Sequence, residues 1–433
     1  MEKIKEQGNL KFVFKENKEQ CFSPILELYR GKIYAFLLKS FMYNCIETLG
    51  TKIFSMKKSY PRTITNLLSS WFFTLYSNYN FEGDAFFPNN FYNTESLKET
   101  LLDFSKYDPN LTDVENKIDR ILKELVEVYK KSLINLEDYK NSSYFKNFQG
   151  NYKITIEEIE QKREEDNIIF CKFKITFPFK LKDKRQENII NNILIPKYIY
   201  QKLKNRYSGP KDMENDYIWV IVYRYQLLGS NNNQLGVLPN ILFKMSIDFG
   251  LNFECFASSI NSTFENYCSV YYDVEKYFGS KGNFFNLKPI KGTYGFNPPY
   301  QKNIMDSGIN KLISFLDEAT KNKNDLNFII TIPIWDKIGK KIMKFTYPEK
   351  KNIPDIDYTE FDSIDEIINS KYFKIKLMIP KDKFTYLDHN FHLYKNVTIQ
   401  HTYILVISNT NIDFKDKFSR YIFTDNESKN VEI

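Results

Sequence analysis

Two consecutive prolines at positions 298 and 299, within Asn297-Pro298-Pro299-Tyr300, constrain this chain more than any other feature. Proline locks φ and has no amide hydrogen, so a strand or helix that runs into Asn297 has to end there. Residues 293–296 read as a short strand. Residues 302–320 read as a helix with Ile304, Ile309, Leu312, Ile313 and Leu316 along one side. The rigid turn between them has chemistry to offer. An exocyclic amine delocalises its lone pair into its ring and is a poor nucleophile. An Asn side-chain oxygen and a prolyl carbonyl, both held by fixed φ angles, can accept the two amine hydrogens and favour a tetrahedral, nucleophilic nitrogen. Tyr300 would then stack on the base, a contact of roughly 1–3 kcal/mol. A Pro-Pro pair that only marks a turn is the other reading of these residues.

The surrounding half of the chain has the βαβ rhythm of an α/β sheet. Residues 251–256 read as a strand and residues 261–272 as the helix after it; residues 326–334 form a strongly apolar strand of buried type. Residues 372–379 and 403–407 read as two more strands closing the sheet in antiparallel fashion. In open α/β sheets ligands collect at the carboxyl edges of the strands, which is where Asn297 is expected. The first half is different. Residues 24–50, 64–79 and 114–138 have helical periodicity, residues 83–105 read as a loop region, and a hairpin is expected at residues 152–157 and 168–177. This divides the chain into an α-helical domain over 1–150 and an α/β domain over 151–433, with 151–215 as connecting hairpin and helices.

Composition narrows the partners. A net charge of +7 permits a polyanionic partner without the footprint of a histone-like protein. The abundant Lys, Asn, Ile, Phe and Tyr fit the codon usage of an AT-rich genome, so their number alone carries no functional weight. Five cysteines without a Cys-x-x-Cys pair, and histidines at 389, 392 and 401 without ligand spacing, point to a reduced protein and to no metal site. The charged first residues and the absence of any run of about 18 apolar residues predict a soluble, unexported chain with no membrane partner. Nucleus and cytoplasm are both open, a viral enzyme included.

A cofactor site is expected around the turn after the first strand. Glu254, Phe256, Ala257 and Ser258 lie there, and a helix start capped by Asn261 or Ser262 would favour a ligand carboxylate such as that of S-adenosylmethionine. Downstream, Asp273 offers an acid for ribose hydroxyls, and Phe278 followed by Gly279 offers a ring for adenine. An ordinary strand-turn-helix with a glycine loop explains the same residues equally well.

Several segments, in order and at matching intervals, resemble the phosphorylated-CTD-interacting factor family, the cap-specific adenosine N6-methyltransferases. They are Arg224-Tyr225-Gln226, Gly236-Val237-Leu238-Pro239, Phe249-Gly250, Glu254 to Ser258, Phe278 to Gly282, Asn297 to Tyr300, Met305-Asp306 and Ile332-Pro333-Ile334-Trp335. The resemblance runs over about residues 217–340. It implies a Rossmann-like S-adenosylmethionine-dependent methyltransferase domain with an N-terminal α-helical domain that binds the cap. The reaction implied is methylation of N6 of the 2′-O-methyladenosine next to a 7-methylguanosine cap. Asn297, Pro298, Pro299 and Tyr300 would grip the adenine, Trp335 and Asp336 would lie on the substrate side, and Arg30 and Arg62 would contact phosphates. Lys302 stands among the cofactor residues where the family has an acid. With tryptophans only at 71, 219 and 335, the chain is expected to lack the family's WW domain, and with it docking on the RNA polymerase II tail. Adenine N6 methylation of other RNA or DNA, and a catalytically silent cap-binding scaffold, are the rival functions.

Overall fold

The computed structural model describes residues 2–15, 22–55, 59–77, 83–163, 166–177, 187, 190, 193–229, 234–334, 362–390 and 395–423. Its contacts divide the chain into two compact units, residues 18–231 and residues 1–17 together with 232–433. The expected boundary near residue 150 is therefore displaced. The chain begins in one unit, leaves it for the other, and returns.

The excursion starts after a hairpin of β1 (Glu2–Gln7) and β2 (Leu10–Lys15), closed by Gly8 at φ 57°. The alternating Leu10-Lys11-Phe12-Val13-Phe14 pattern puts Leu10 and Phe12 into the core of the α/β unit, and β2 pairs antiparallel with residues 288–291.

Residues 18–231 are mainly helical. Helix Pro24–Leu49 begins where Ser23 Oγ accepts the Ile25 amide and Pro24 supplies a pre-set φ; it ends at Gly50, whose φ of 79° few other residues tolerate. Helices Tyr60–Ser77, Glu95–Ser105, Val114–Asn141, Lys197–Arg206 and Glu214–Leu228 follow. Glu95–Ser105 lies inside the stretch expected as loop. The expected hairpin is present as β3 (Lys153–Arg163) and β4 (Asp166–Thr176), with β5 (Leu194–Pro196) beside β4. It falls within the same unit as the helices.

Arg30 is buried in this unit, 1% exposed. Its Nε donates to Asp84 Oδ1 at 2.9 Å, its Nη2 to Asp84 Oδ2 at 2.6 Å and its Nη1 to Glu27. Arg224 donates to both Glu27 oxygens, at 2.7 Å to the Oε1 shared with Arg30 and at 3.0 Å to Oε2, and Lys140 approaches Asp84 at 3.1 Å. Asp84 also accepts the Phe86 and Phe87 amides, which fixes the turn after Gly83. Burial pushes the Glu27 and Asp84 carboxyls up, but the guanidiniums outweigh it and hold both below the ordinary carboxylate range. This corrects the expectation for Arg30. A guanidinium enclosed by two carboxylates has no face left for a phosphate.

The second unit carries a mixed sheet. After β6 (Leu235–Val237), helix Pro239–Phe249 ends on Gly250 at φ 71° and turns directly into β7 (Leu251–Glu254). Next come β8 (Asn266–Tyr267), β9 (Lys288–Phe296), helix Lys302–Lys321 and β10 (Leu326–Pro333). Then follow β11 (Phe373–Ile379), β12 (Tyr386–Asp388), β13 (Lys395–Val397) and β14 (Thr402–Ser408). β8, β7, β9 and β10 are neighbours in that order and parallel; β14 joins β10 antiparallel, and β11 joins β14 antiparallel. Every residue of β10 and β14 is buried, as central strands covered on both faces require. Phe328, Ile330 and Ile332 face one core with Met305, Ile309, Leu312 and Leu316 of the long helix. Ile329 faces the other, with Ile241, Met245 and Phe249. The fold of this unit is thus α/β. β12 leaves the main sheet and pairs with β6 and β13.

Glu27→Ala or Arg30→Ala should cost about 3–5 kcal/mol of unfolding free energy, because each leaves a buried charge uncompensated. Arg62→Ala, on an exposed residue, should stay within about 0.5 kcal/mol. Urea denaturation checks both. Because the folded-state values of Glu27 and Asp84 lie below the unfolded ones, their contribution is complete above about pH 5 and is lost as pH falls. The urea midpoint should drop between pH 5 and 3, and less steeply in Asp84→Asn.

Candidate active site

The carboxyl ends of β7 and β9 are tied together by the backbone. Glu254 stands opposite Gly295, and the Cys255 amide donates to the Gly295 carbonyl at 2.8 Å. One residue beyond Phe296 the prolines stop the strand, so Asn297 projects from the edge next to the loop that follows Glu254. A cleft partly open to solvent is found there. Glu254, Phe256, Asn261, Gly295, Phe296 and Asn297 line one part of it; Leu235, Gly236, Val237, Leu242, Met245, Leu251, Ile329 and Thr331 complete the wall. Four residues singled out from the sequence, Glu254, Phe256, Asn261 and Asn297, are therefore gathered on one cavity.

The expected helix over residues 261–272 is not formed. Side chains capture its backbone first. Glu254 Oε2 accepts the Thr263 and Phe264 amides at 2.7 and 2.9 Å. Asn261 Oδ1 accepts the Ser258 amide at 2.7 Å, while Ser258 Oγ accepts the Asn261 amide and donates to Gln234 at 2.7 Å. Such local bonds compete with helical ones, and Asn, Ser and Thr supply them. The segment forms turns and the short β8 instead, with the Ala257 amide on the Cys268 carbonyl at 2.8 Å. Asn261 consequently caps no helix, so it provides no helix-terminus site for a carboxylate.

Glu275, not Asp273, is the acid built into this loop. Fully buried, it accepts the Ser259 amide and hydroxyl at 2.7 and 3.0 Å and the Tyr271 amide at 3.2 Å. Burial raises its carboxyl above the ordinary range despite those bonds. Asp273, half-buried in the short helix Tyr272–Glu275, does not line the cleft. Phe278 is buried, 1% exposed, and does not line the cleft. Gly279 has φ 111°, and a Cβ there would lie 2.1 Å from the Glu265 carbonyl oxygen. Its value is steric. The close approach lets Ser280 bridge in parallel to Tyr267, with the Lys281 amide on the Tyr267 carbonyl at 2.7 Å, so the Phe278 to Gly282 motif extends the sheet beside β8.

Within the tetrapeptide, Pro298 is buried and Asn297, Pro299 and Tyr300 are half-buried. The Tyr300 ring packs on both apolar cores, and its hydroxyl lies 3.1 Å from Asn297 Oδ1 and 2.9 Å from Tyr386 Oη, with one proton to give to either. Burial, then the neighbouring Tyr386, push the Tyr300 hydroxyl well above its ordinary range, so it is a donor at neutral pH. Lys302 is the first residue of helix Lys302–Lys321 and does not line the cleft. Trp335 and Asp336 lie outside the described residues. Arg62 is exposed near the start of helix Tyr60–Ser77. The cleft wall contributed by Leu235, Gly236 and Val237 was not foreseen as part of a site, although Gly236-Val237-Leu238-Pro239 was among the matching motifs. Among the described residues no group of acidic, histidine or cysteine side chains could hold a metal ion, and no helix is long and apolar enough to cross a membrane.

Comparison with known proteins meets this geometry at its centre. Residues 197–353 match the family model described as the phosphorylated CTD interacting factor 1 WW domain. The chain is also similar to the mRNA (2'-O-methyladenosine-N(6)-)-methyltransferases of Mus musculus and Homo sapiens, 34% identical to each over 124 residues. That stretch is 27% of this chain and spans 17% of the length of each relative. The family match overturns the expectation that the WW domain, and docking through it, are missing. That expectation rested on counting tryptophans, whereas the match rests on a pattern running from helix Lys197–Arg206 through β10.

Gly279→Ala should destabilise the protein by roughly 1–3 kcal/mol, the usual cost of forcing an extra methyl into a packed position. Thermal denaturation measures it; an unchanged melting temperature would contradict the close approach to Glu265.

Proposed function

We propose that this chain is an S-adenosylmethionine-dependent RNA methyltransferase that modifies N6 of the 2′-O-methyladenosine following a 7-methylguanosine cap. The observation that carries the proposal is the position of Asn297: its side chain shares one cleft with Glu254 and Asn261, at the carboxyl edge of parallel strands. The strand order β8-β7-β9-β10-β14-β11, with only β14 antiparallel in it, supports a Rossmann-like methyltransferase domain. The activity for which the two mammalian relatives are named supports the substrate.

The cleft suits the cofactor by its chemistry. It combines a carboxylate, amides, an aromatic ring and an aliphatic wall, which suits a nucleoside joined to an amino acid. Glu254, Phe256 and Asn261 would hold it. Bound there, S-adenosylmethionine supplies a methyl group already activated on a sulfonium sulfur. The protein's part is to prepare the acceptor. Asn297 Oδ1 and the Pro298 carbonyl take the two hydrogens of the adenine amine, which localises the nitrogen lone pair towards the cleft. The two prolines keep those acceptors from relaxing away, so their alignment needs no reorganisation during the reaction. Cap and phosphate binding we assign to the helical unit, with Arg62 as its phosphate contact.

Asn297→Ala should lower methyl transfer to capped RNA beginning with 2′-O-methyladenosine by about 100-fold or more. Donor affinity, measured by calorimetry, should stay within about threefold, since the substrate amine and not the donor loses a partner. Wild-type turnover in this variant would refute the assigned role.

A further inference from the structure

The tetrapeptide is held by a chain of buried hydroxyls that reaches it from the far end of the sequence. We propose that Tyr386 and Thr402 are positioning residues that act through the Tyr300 hydroxyl to fix which end of the Asn297 amide faces the substrate amine. The inference rests on the function proposed above and deepens it.

Tyr386 opens β12, where it pairs with Val237 of β6, and is fully buried in the apolar core beside the cleft. Its hydroxyl lies 2.9 Å from that of Tyr300 and 2.7 Å from Thr402 Oγ1, which is itself buried at the start of β14. A Phe would fill the same volume. A hydroxyl there needs partners, because a buried polar group without one is costly, and beside the Gln400 side chain its partners continue a line: Thr402, Tyr386, Tyr300, Asn297. The two ends of an Asn amide are nearly equal in size, and the terminal torsion is broad and two-fold, so packing alone does not choose between them. A hydroxyl proton does. When Thr402 donates to Tyr386 and Tyr386 to Tyr300, the Tyr300 proton is directed to Asn297 Oδ1. This pins the oxygen and leaves its second lone pair for an incoming N–H. When the line runs the other way, with Tyr300 donating to Tyr386 and Thr402 to the Gln400 carbonyl, Tyr300 turns a lone pair to Asn297. That favours the flipped amide, whose NH₂ repels an amine donor. The Thr402 bond to Gln400 is long, 3.4 Å, so the first arrangement is the better satisfied.

The test is a double-mutant cycle on the full chain with Tyr300→Phe and Tyr386→Phe, repeated with Thr402→Val. Readouts are kcat and KM on capped RNA beginning with 2′-O-methyladenosine, donor affinity and melting temperature. Tyr386→Phe should lower kcat by about 10-fold with KM and donor affinity unchanged, and Thr402→Val by a smaller factor in the same parameter. In the Tyr300→Phe background, Tyr386→Phe should cost nothing further, since the hydroxyl it acts through is gone. Wild-type kcat in Tyr386→Phe overturns the inference while leaving the proposed function standing. So does a full additional loss in the Tyr300→Phe background, or a loss of kcat that follows melting temperature in all three variants. A wild-type protein inactive on every capped RNA refutes the proposed function and this inference with it.

Discussion

The bond from the Cys255 amide to the Gly295 carbonyl is the contact on which the site depends. It fastens the loop after β7 to the last residues of β9 immediately before two prolines prevent that strand from going further. With β10 parallel on the other side of β9, pairing Ile330 with Phe296, the strand has no lateral freedom, and Asn297 is delivered to one place. The same loop is tied on its far side, where the Cys268 amide reaches the Glu254 carbonyl at 2.9 Å and the Glu254 side chain holds the Thr263 and Phe264 amides. The cleft is thus the space left when a rigid strand end and a loop knotted by its own side chains stand next to each other.

Elements governed by local signals were legible in the sequence. Pro24 and Gly50 bound their helix within a residue of the expected limits, and the apolar run at 326–334 became the buried central strand. The helix beginning at Lys302 and the antiparallel closing strands also agree with the periodicity. Where reasoning from residue types failed, a tertiary partner had intervened. Residues 261–272 carry enough apolar side chains for a helix, yet Glu254 and Ser258, outside the segment, take its amides. Arg30 looks like any helical arginine until Asp84, 54 residues away, closes over it. The hairpin at residues 2–15, a Gly-Asn turn between alternating residues, was not foreseen in a stretch expected to belong to the helical domain, and its membership of the α/β unit is a non-local fact.

Within the site, the sequence identified the residues better than their tasks. Glu254, Phe256, Asn261 and Asn297 do meet on one cleft. Phe278 and Gly279 instead build the sheet, and Glu275 rather than Asp273 is the buried acid. A glycine motif reads the same whether it admits a ligand or a neighbouring carbonyl, and only the 2.1 Å approach to Glu265 separates the two. The family match ends at residue 353, so Tyr386 and Thr402 lie beyond it and the helical residues before 197 precede it. What those parts do has to be argued from their own contacts.

The central claim is that the cleft at the ends of β7 and β9 holds the methyl donor next to Asn297. Amide hydrogen exchange, followed by mass spectrometry with and without saturating S-adenosylmethionine, addresses this directly. The account predicts slowed exchange confined to the peptides covering residues 254–264 and 295–301, with the sheet core unchanged because it is already protected. Binding without protection in those two peptides, or protection that appears only elsewhere in the chain, would contradict it.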